Sequence, residues 1–255
     1  MKIDIISDIH LEFGDLYLPG GDLLILAGDL GEVRSFFRND GGEVRRKAKA
    51  MHRFMDVELS KYKRVIWVPG NHEYYGKSVL ETELLINMHW GNKLTFLQNN
   101  SVEIDGINFF GATMWTDLGK NNPMVFQLVK YSMNDYEMIE DFTPQTSYDT
   151  HMNHRLGLLN FLNSNRDKKV FVITHHAPCI LSIPDEYKDD RLNEAYYSDL
   201  TDIMLDNENI THWVHGHCHG QKTYEMGKTT VINNARGYFG HEKSSLEYKP
   251  VRLEI

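Results

Sequence analysis

Ile3-Asp4-Ile5-Ile6-Ser7-Asp8-Ile9-His10 opens the chain with a short apolar run and follows it with two metal-ligand residue types, spaced two apart. A brief run rich in β-branched residues and bounded by polar residues reads as a strand buried on both faces. The same design recurs along the chain. Leu23–Ala27 is followed by Gly28 and Asp29, and Val65–Val68 by Pro69, Gly70, Asn71, His72 and Glu73. Val170–Thr174 is followed by His175 and His176, and Trp213–Val214 by His215, Gly216, His217, Cys218 and His219. Each cluster stands where a strand reaches its carboxyl end, and open α/β sheets place their sites in the crevice outside those ends. One such cluster is easily chance. Five in order, all of ligand type, are not.

Further apolar runs, Ile107–Gly111 and Thr229–Ile232, add strands without ligands. Between the strands lie helical patterns. Val44, Ala48, Met51, Met55 and Leu59 recur at steps of three and four, which puts them on one helix face. The basic residues Arg45, Arg46, Lys47 and Lys49 then read as that helix's wet face. Segments 77–89, 150–164 and 194–206 also read as helices. Strands alternating with helices predict a layered α/β fold. The stretch 112–150, rich in Asn, Asp, Met and aromatics, breaks the rhythm and reads as a binding insert or cap within one domain spanning 1–255.

Composition narrows the function. With 255 residues, 41% of them apolar and 25% charged, the chain has enough core for one large domain and needs no second. No apolar run approaches the ~20 residues of a membrane span, and Asp4 interrupts the N-terminal run early, so no signal peptide is expected. Two cysteines make no disulfide framework, which predicts a reducing, cytoplasmic home. A net charge of -9 argues against gripping long nucleic acid through its phosphates.

The ordered set Asp8-x-His10, Gly28-Asp29, Gly70-Asn71-His72-Glu73, His175 and Gly216-His217-x-His219 resembles the calcineurin-like metallophosphoesterase superfamily. Gly111-Ala-Thr-Met-Trp115-Thr-Asp117, Met133-Asn-Asp-Tyr136, Thr174-His-His-Ala-Pro178 and Ala235-Arg-Gly-Tyr238 are similar to its bacterial and phage-type branch. The resemblance implies a sandwich of two mixed β-sheets flanked by helices. It also implies two divalent metal ions, manganese first, with iron or zinc as alternatives. One ion would be held by Asp8, His10 and His219, the other by Asn71, His175 and His217, with Asp29 bridging. The implied activity is hydrolysis of small phosphate mono- or diesters, possible nucleotides among them, by a metal-bridging hydroxide. His72 resembles the family's non-ligand histidine beside the leaving group. In several relatives an acidic residue three places after the bridging Asp orients it, and here that place holds Glu32.

Simpler readings stand beside these. His52, His89, His212 and His241 read as ordinary hydrogen-bonded histidines, His215 as a supporting or core residue, and Glu73 as a partner of the loop backbone. Cys218 should turn away from the ligands on either side of it. His151 and His154 share a helix face that either borders the pocket or packs. Trp115, Asp117, Asn134 and Arg236 are candidate substrate contacts, with packing at least as good a reading for each. Two other functions remain: a nuclease, which would want a basic groove, and a non-catalytic binding module, which would have lost a ligand.

Overall fold

The computed structural model describes residues 1–37 and 42–255, with the backbone alone for 42–46. Among these the strands, in chain order, are β1 (Lys2–Ile6), β2 (Gly21–Ala27), β3 (Tyr62–Val68), β4 (Thr95–Phe96), β5 (Asn100–Ile104), β6 (Ile107–Ala112), β7 (Val170–Thr174), β8 (Ile210–His215), β9 (Gln221–Met226), β10 (Thr229–Asn234) and β11 (Val251–Glu254). They form two mixed sheets, β11-β1-β2-β3-β4 and β5-β6-β7-β8-β10-β9. β1 to β4 run parallel with β11 antiparallel at the edge. β6, β7, β8 and β10 run parallel, flanked by antiparallel β5 and β9.

The alternation of side chains explains the continuous apolar runs. Ile3, Ile5, Leu23, Ile25, Ile66 and Val68 meet Phe109, Phe171, Ile173, Val214 and Ile232 in the core between the sheets. Their strand neighbours Ile6, Leu24, Leu26 and Trp67 point the other way, onto Met51, Phe54, Ile86 and Trp90. On the far side, Phe110, Val172, Trp213 and Val231 pack on Leu158, Leu162, Ile203 and Met204. Both faces of both sheets are therefore covered, and this burial is the main stabilising term of such a fold.

Helices fall at Gly42–Arg53, Val79–Trp90 and Pro144–Ser164. The Ser78 hydroxyl accepts from the Glu81 amide at the start of the second, and Thr143 followed by Pro144 starts the third six residues earlier than the apolar periodicity predicts. Met51, Met55 and Leu59 join the core beside β3. Val44, Arg45 and Arg46 lie outside the residues whose side chains are described. The predicted helix 194–206 is broken: a 3-10 turn covers Arg191–Ala195 and a helix only Thr201–Asp206. Between them Tyr197 bridges Ala177, and the Ser198 hydroxyl accepts from the Asp117 amide, so tertiary contacts override the local pattern. The 112–150 segment folds into a left-handed turn, Leu118–Asn121, and two short helices, Pro123–Ser132 and Asp135–Met138, before the long Pro144–Ser164 helix.

Candidate metal centre

β1, β2 and β3 of one sheet and β7 and β8 of the other end at the same edge of the sandwich, so the turns that follow them converge. Asp8, His10, Asp29 and His217 all take left-handed backbone conformations, with φ of 50°, 40°, 54° and 65°. Such conformations are costly for residues with a Cβ and persist only where the surroundings enforce them. Gly70 is needed for close approach: a Cβ there would lie 2.1 Å from Asp29 Oδ1 and 2.7 Å from His175 Cε1. Glu73, fully buried, accepts backbone N–H groups from Asp29 at 3.0 Å, Leu30 at 2.6 Å and Gly70 at 2.5 Å, tying the second turn to the third.

Three overlapping groups of donors result: Asp8, His10 and His219; His10, Asp29 and His72; Asp29, His175 and His217. Asp29 Oδ2 stands 3.8 Å from His10 Nε2 and 3.5 Å from His175 Nε2, between the first group and the third. His219 Nε2 lies 3.5 Å from Asp8 Oδ1 and 3.2 Å from His10 Nε2. Asn71 Oδ1 is 3.0 Å from His175 Nε2. All seven residues expected as ligands are thus brought together.

Neighbours fix how each donor points. His175 Nδ1 meets the Ala27 carbonyl at 3.0 Å, which turns Nε2 into the site. His219 Nδ1 meets Glu242 Oε1 at 2.8 Å. The Asn71 amide donates to Asp135 Oδ1 at 2.7 Å, turning its carbonyl oxygen toward His175. Tyr75 donates to the same Asp135 oxygen at 2.7 Å and stacks on the His72 ring. Such outer partners hold a ligand's tautomer and direction. Asp135 stood in the Met133-Asn-Asp-Tyr136 stretch of the expected cap but not as a partner of Asn71, and neither Glu242 nor Tyr75 stood out as a site residue in the sequence. Glu12 did not either, and it lies 3.4 Å from His10 Nδ1 and 3.8 Å from His72 Nδ1.

The electrostatics fit a centre that receives cations. Burial works to lower the pKa of His175, but the Asp29 carboxylate outweighs it and pushes the ring up to about 10. Burial likewise opposes His72, and Asp29 and Glu12 raise it to about 9. Burial works to raise Glu12, yet His10 and His72 hold it down to about 2. Burial, His176 and His175 hold His217 well below its ordinary value, and its buried Nε2 has no hydrogen-bond partner among the described residues. Buried carboxylates need positive charge beside them. Here imidazole rings face them, and divalent cations would supply that charge. The donors are all nitrogen and oxygen, which suits first-row dications rather than a zinc–thiolate site. Cys218 is buried among Ala177 and Ile183, with burial pushing its thiol up.

A cleft of about 660 Å³ opens over the donors. Its walls include Tyr75, Tyr187, Tyr196 and Tyr238, the Ser132–Asp135 edge, Glu186 and Asp190. No lysine or arginine is among the described residues that line it. A larger open hollow, about 950 Å³, lies at the amino ends of the strands. Its Lys63 and Arg64 are paired with Asp22 and Asp105 at 2.6 and 2.8 Å, and it contains none of the three donor groups.

Two expected substrate contacts lie elsewhere. Trp115 is 2% exposed and packs on Phe142, Tyr74 and His176, because its turn runs inward beneath the cleft. Arg236, also 2% exposed, donates to the carbonyls of Ile9, Gly14 and Asp15 at 3.0, 2.8 and 2.8 Å. Its guanidinium satisfies backbone that has no strand partner, so it is spent on the loop behind the site. His151 and His154 hold the carbonyl and amide of Met114 and do not line the cleft. Asn134 does line it, whereas Asp117 accepts from the Lys120 amide and closes the left-handed turn Leu118–Asn121.

A family model described as calcineurin-like phosphoesterase matches residues 1–221. An uncharacterised protein of Acanthamoeba polyphaga mimivirus, L509, is 29% identical over 218 residues, covering 77% of this chain and 76% of that protein. Among solved structures, the phosphopantetheinyl hydrolase of Mycobacterium tuberculosis matches with a TM-score of 0.67 at 17% identity, covering 98% of this chain and 95% of that one. A dimetal phosphatase from Danio rerio matches with a TM-score of 0.53 at 12% identity, covering 91% and 86%. At these identities the structural likeness shows the fold alone.

Proposed function

The chain belongs to the calcineurin-like phosphoesterase family and is a phosphoester hydrolase, and from this we propose that it uses two divalent cations to hydrolyse small phosphate esters. One observation carries the two-cation reading: a single buried carboxylate, Asp29, belongs to donor groups on both sides of it. Asp8, His10 and His219 would hold one cation, Asn71, His175 and His217 the other, and Asp29 both. When bound, such a pair supplies hydroxide near neutral pH and neutralises phosphate charge.

The chain's own residues do the rest. His72 lines the cleft with Nδ1 toward Glu12, and in this reading its Nε2 donates a proton to the departing alcohol oxygen. Tyr75 holds the His72 ring by stacking at 4.4 Å. The tyrosine-rich wall and the Ser132–Asp135 edge receive the organic part of the ester, so this edge of the 112–150 segment acts as the cap. A wall carrying Glu186 and Asp190 and, among described residues, no lysine or arginine favours a small ester over a nucleic-acid strand. Small nucleotides stay within this substrate class. The complete donor set argues against a non-catalytic module.

Chelator-treated protein should lose hydrolysis of an aryl phosphate and recover it with manganese, iron or zinc. The same loaded enzyme, screened on aryl monoesters, aryl diesters and nucleotides, identifies the preferred class. Full activity in protein shown by elemental analysis to be metal-free rules the proposal out.

A further inference from the structure

We propose that Glu12 positions both His72 and His10, taking the role that the family resemblance attaches to the place Glu32 holds. Glu32 is turned away: its carboxylate binds Arg34 Nε at 2.8 Å and Ser35 Oγ at 3.4 Å, at the surface. Glu12 is 8% exposed, and its polar neighbours are two imidazole nitrogens, His10 Nδ1 at 3.4 Å and His72 Nδ1 at 3.8 Å. A buried carboxylate without such neighbours would be strongly destabilising. Both nitrogens face the same oxygen, Oε1, as ion-pair contacts, so one carboxylate oxygen is shared between the two rings.

The surroundings are built around this carboxylate. Gly31 has φ of 146°, and a Cβ there would lie 2.6 Å from Glu12 Oε2 and 2.9 Å from the Met51 methyl. Only glycine leaves the carboxylate its space. The loop that carries Glu12 is pinned by Arg236 on one side, and on the other by backbone bonds from His10 N to Asp29 O at 3.1 Å and Leu11 N to Leu30 O at 3.0 Å.

The consequence is a shared support. An imidazole whose Nδ1 edge faces a buried carboxylate is held in direction by their attraction, leaving Nε2 for its task. For His10 that task is to face Asp29 and His219; for His72 it is to face the ester. Glu12 touches neither substrate nor cation and acts through both rings. The inference rests on the two-cation hydrolase reading, and its test separates the two.

The experiment compares wild type, Glu12→Gln, Glu32→Gln, His72→Ala and the double variant Glu12→Gln/His72→Ala. Metal affinity is read by elemental analysis after dialysis against graded manganese. Turnover at saturating manganese is read on matched nitrophenyl and alkyl phosphates. Glu12→Gln should weaken metal binding ~10–100-fold, the usual loss when a ligand's outer partner is removed. At saturating metal it should lower kcat on the alkyl ester more than on the nitrophenyl ester, with KM little changed. In the His72→Ala background it should cause no further fall in kcat. Glu32→Gln should match wild type in metal affinity and in the alkyl-to-nitrophenyl ratio.

Multiplying losses in the double variant, or an effect carried by Glu32→Gln instead, overturns the proposal. Should Glu12→Gln not fold, Glu12→Asp keeps the charge one methylene short and should show the same alkyl-selective fall; an equal fall on both esters counts against it. Wild type that hydrolyses neither ester when loaded sinks the hydrolase reading alone, because the metal affinity of Glu12→Gln still tests the support of His10.

Discussion

Arg236→Met separates a substrate contact from a structural clamp. Methionine keeps an unbranched apolar stem of similar length and removes every donor. In the structure the guanidinium makes three bonds to backbone carbonyls, those of Ile9, Gly14 and Asp15. A hydrogen bond from a charged group contributes ~1.5–3 kcal/mol, so three set a ceiling of ~4.5–9 kcal/mol. The Gly14 and Asp15 bonds are only part-buried, so those carbonyls regain water once released. The guanidinium also sits 4.5 Å above the half-exposed Phe239 ring, worth ~0.5–1 kcal/mol at such a site. A net loss of ~3–5 kcal/mol is expected, allowing for that recovered hydration.

In a chain of this size each kcal/mol moves Tm by ~2–4 °C, so the drop should be ~6–20 °C. The assay is thermal unfolding of metal-free protein, which keeps ligand linkage out of the comparison. Steady-state kinetics at a temperature well below both transitions complete it. The clamp predicts a large fall in Tm and weaker metal binding through the loop that carries His10 and Glu12. A Tm within ~2 °C of wild type, with KM raised and kcat unchanged, would refute it and return Arg236 to the substrate.

Asp29→Asn should weaken metal binding at both positions, since a neutral amide bridges two cations poorly; elemental analysis finding two tightly held ions would remove Asp29 as the bridge. His72→Ala should keep both ions and lose ~10²–10⁴-fold in turnover, the usual contribution of a positioned acid, most on alkyl esters. Equal losses on nitrophenyl and alkyl esters would leave His72 a purely electrostatic role. Trp115→Ala should cost ~3–5 kcal/mol in urea unfolding, as for other buried tryptophans, and leave relative rates across a substrate panel unchanged; altered selectivity at unchanged stability would put the ring back in the cleft.

The fold was legible where burial imposes a pattern. Ile3–Ile6, Leu23–Ala27 and Val170–Thr174 read as strands because each contributes side chains to cores on both faces of its sheet. β4, β5, β9 and β11 were not legible. Asn100–Ile104 and Gln221–Met226 are mostly exposed or half-exposed edge strands, held by pairing with β6 and β10 rather than by apolar runs of their own. The helix expected over 194–206 failed for a related reason. Its periodicity is real, but Tyr197 and Ser198 are drawn into contacts with Ala177 and Asp117, which no local pattern encodes.

At the candidate site, the residue types that chemistry restricts were readable and the residues that support them were not. A dication accepts few side chains, and His, Asp and Asn at the ends of five strands leave little room for another reading. An orienting partner needs only an acceptor, and the chain has 36 Asp and Glu to choose from. Glu12 did carry a signal, since Asp8, His10 and Glu12 are spaced by two, but it reads equally as a loop carboxylate until Gly31 and Arg236 are seen around it. Asp135 lies 64 residues from the Asn71 amide that it turns, and Glu242 lies 23 from His219. Trp115 and Arg236 mislead in the opposite sense. A large amphipathic side chain beside ligand motifs suits a pocket wall, yet both are buried, one by aromatic packing and one by free carbonyls. Deciding between wall and clamp requires knowing which backbone groups lack partners, and that is a property of the folded loop rather than of its residue types.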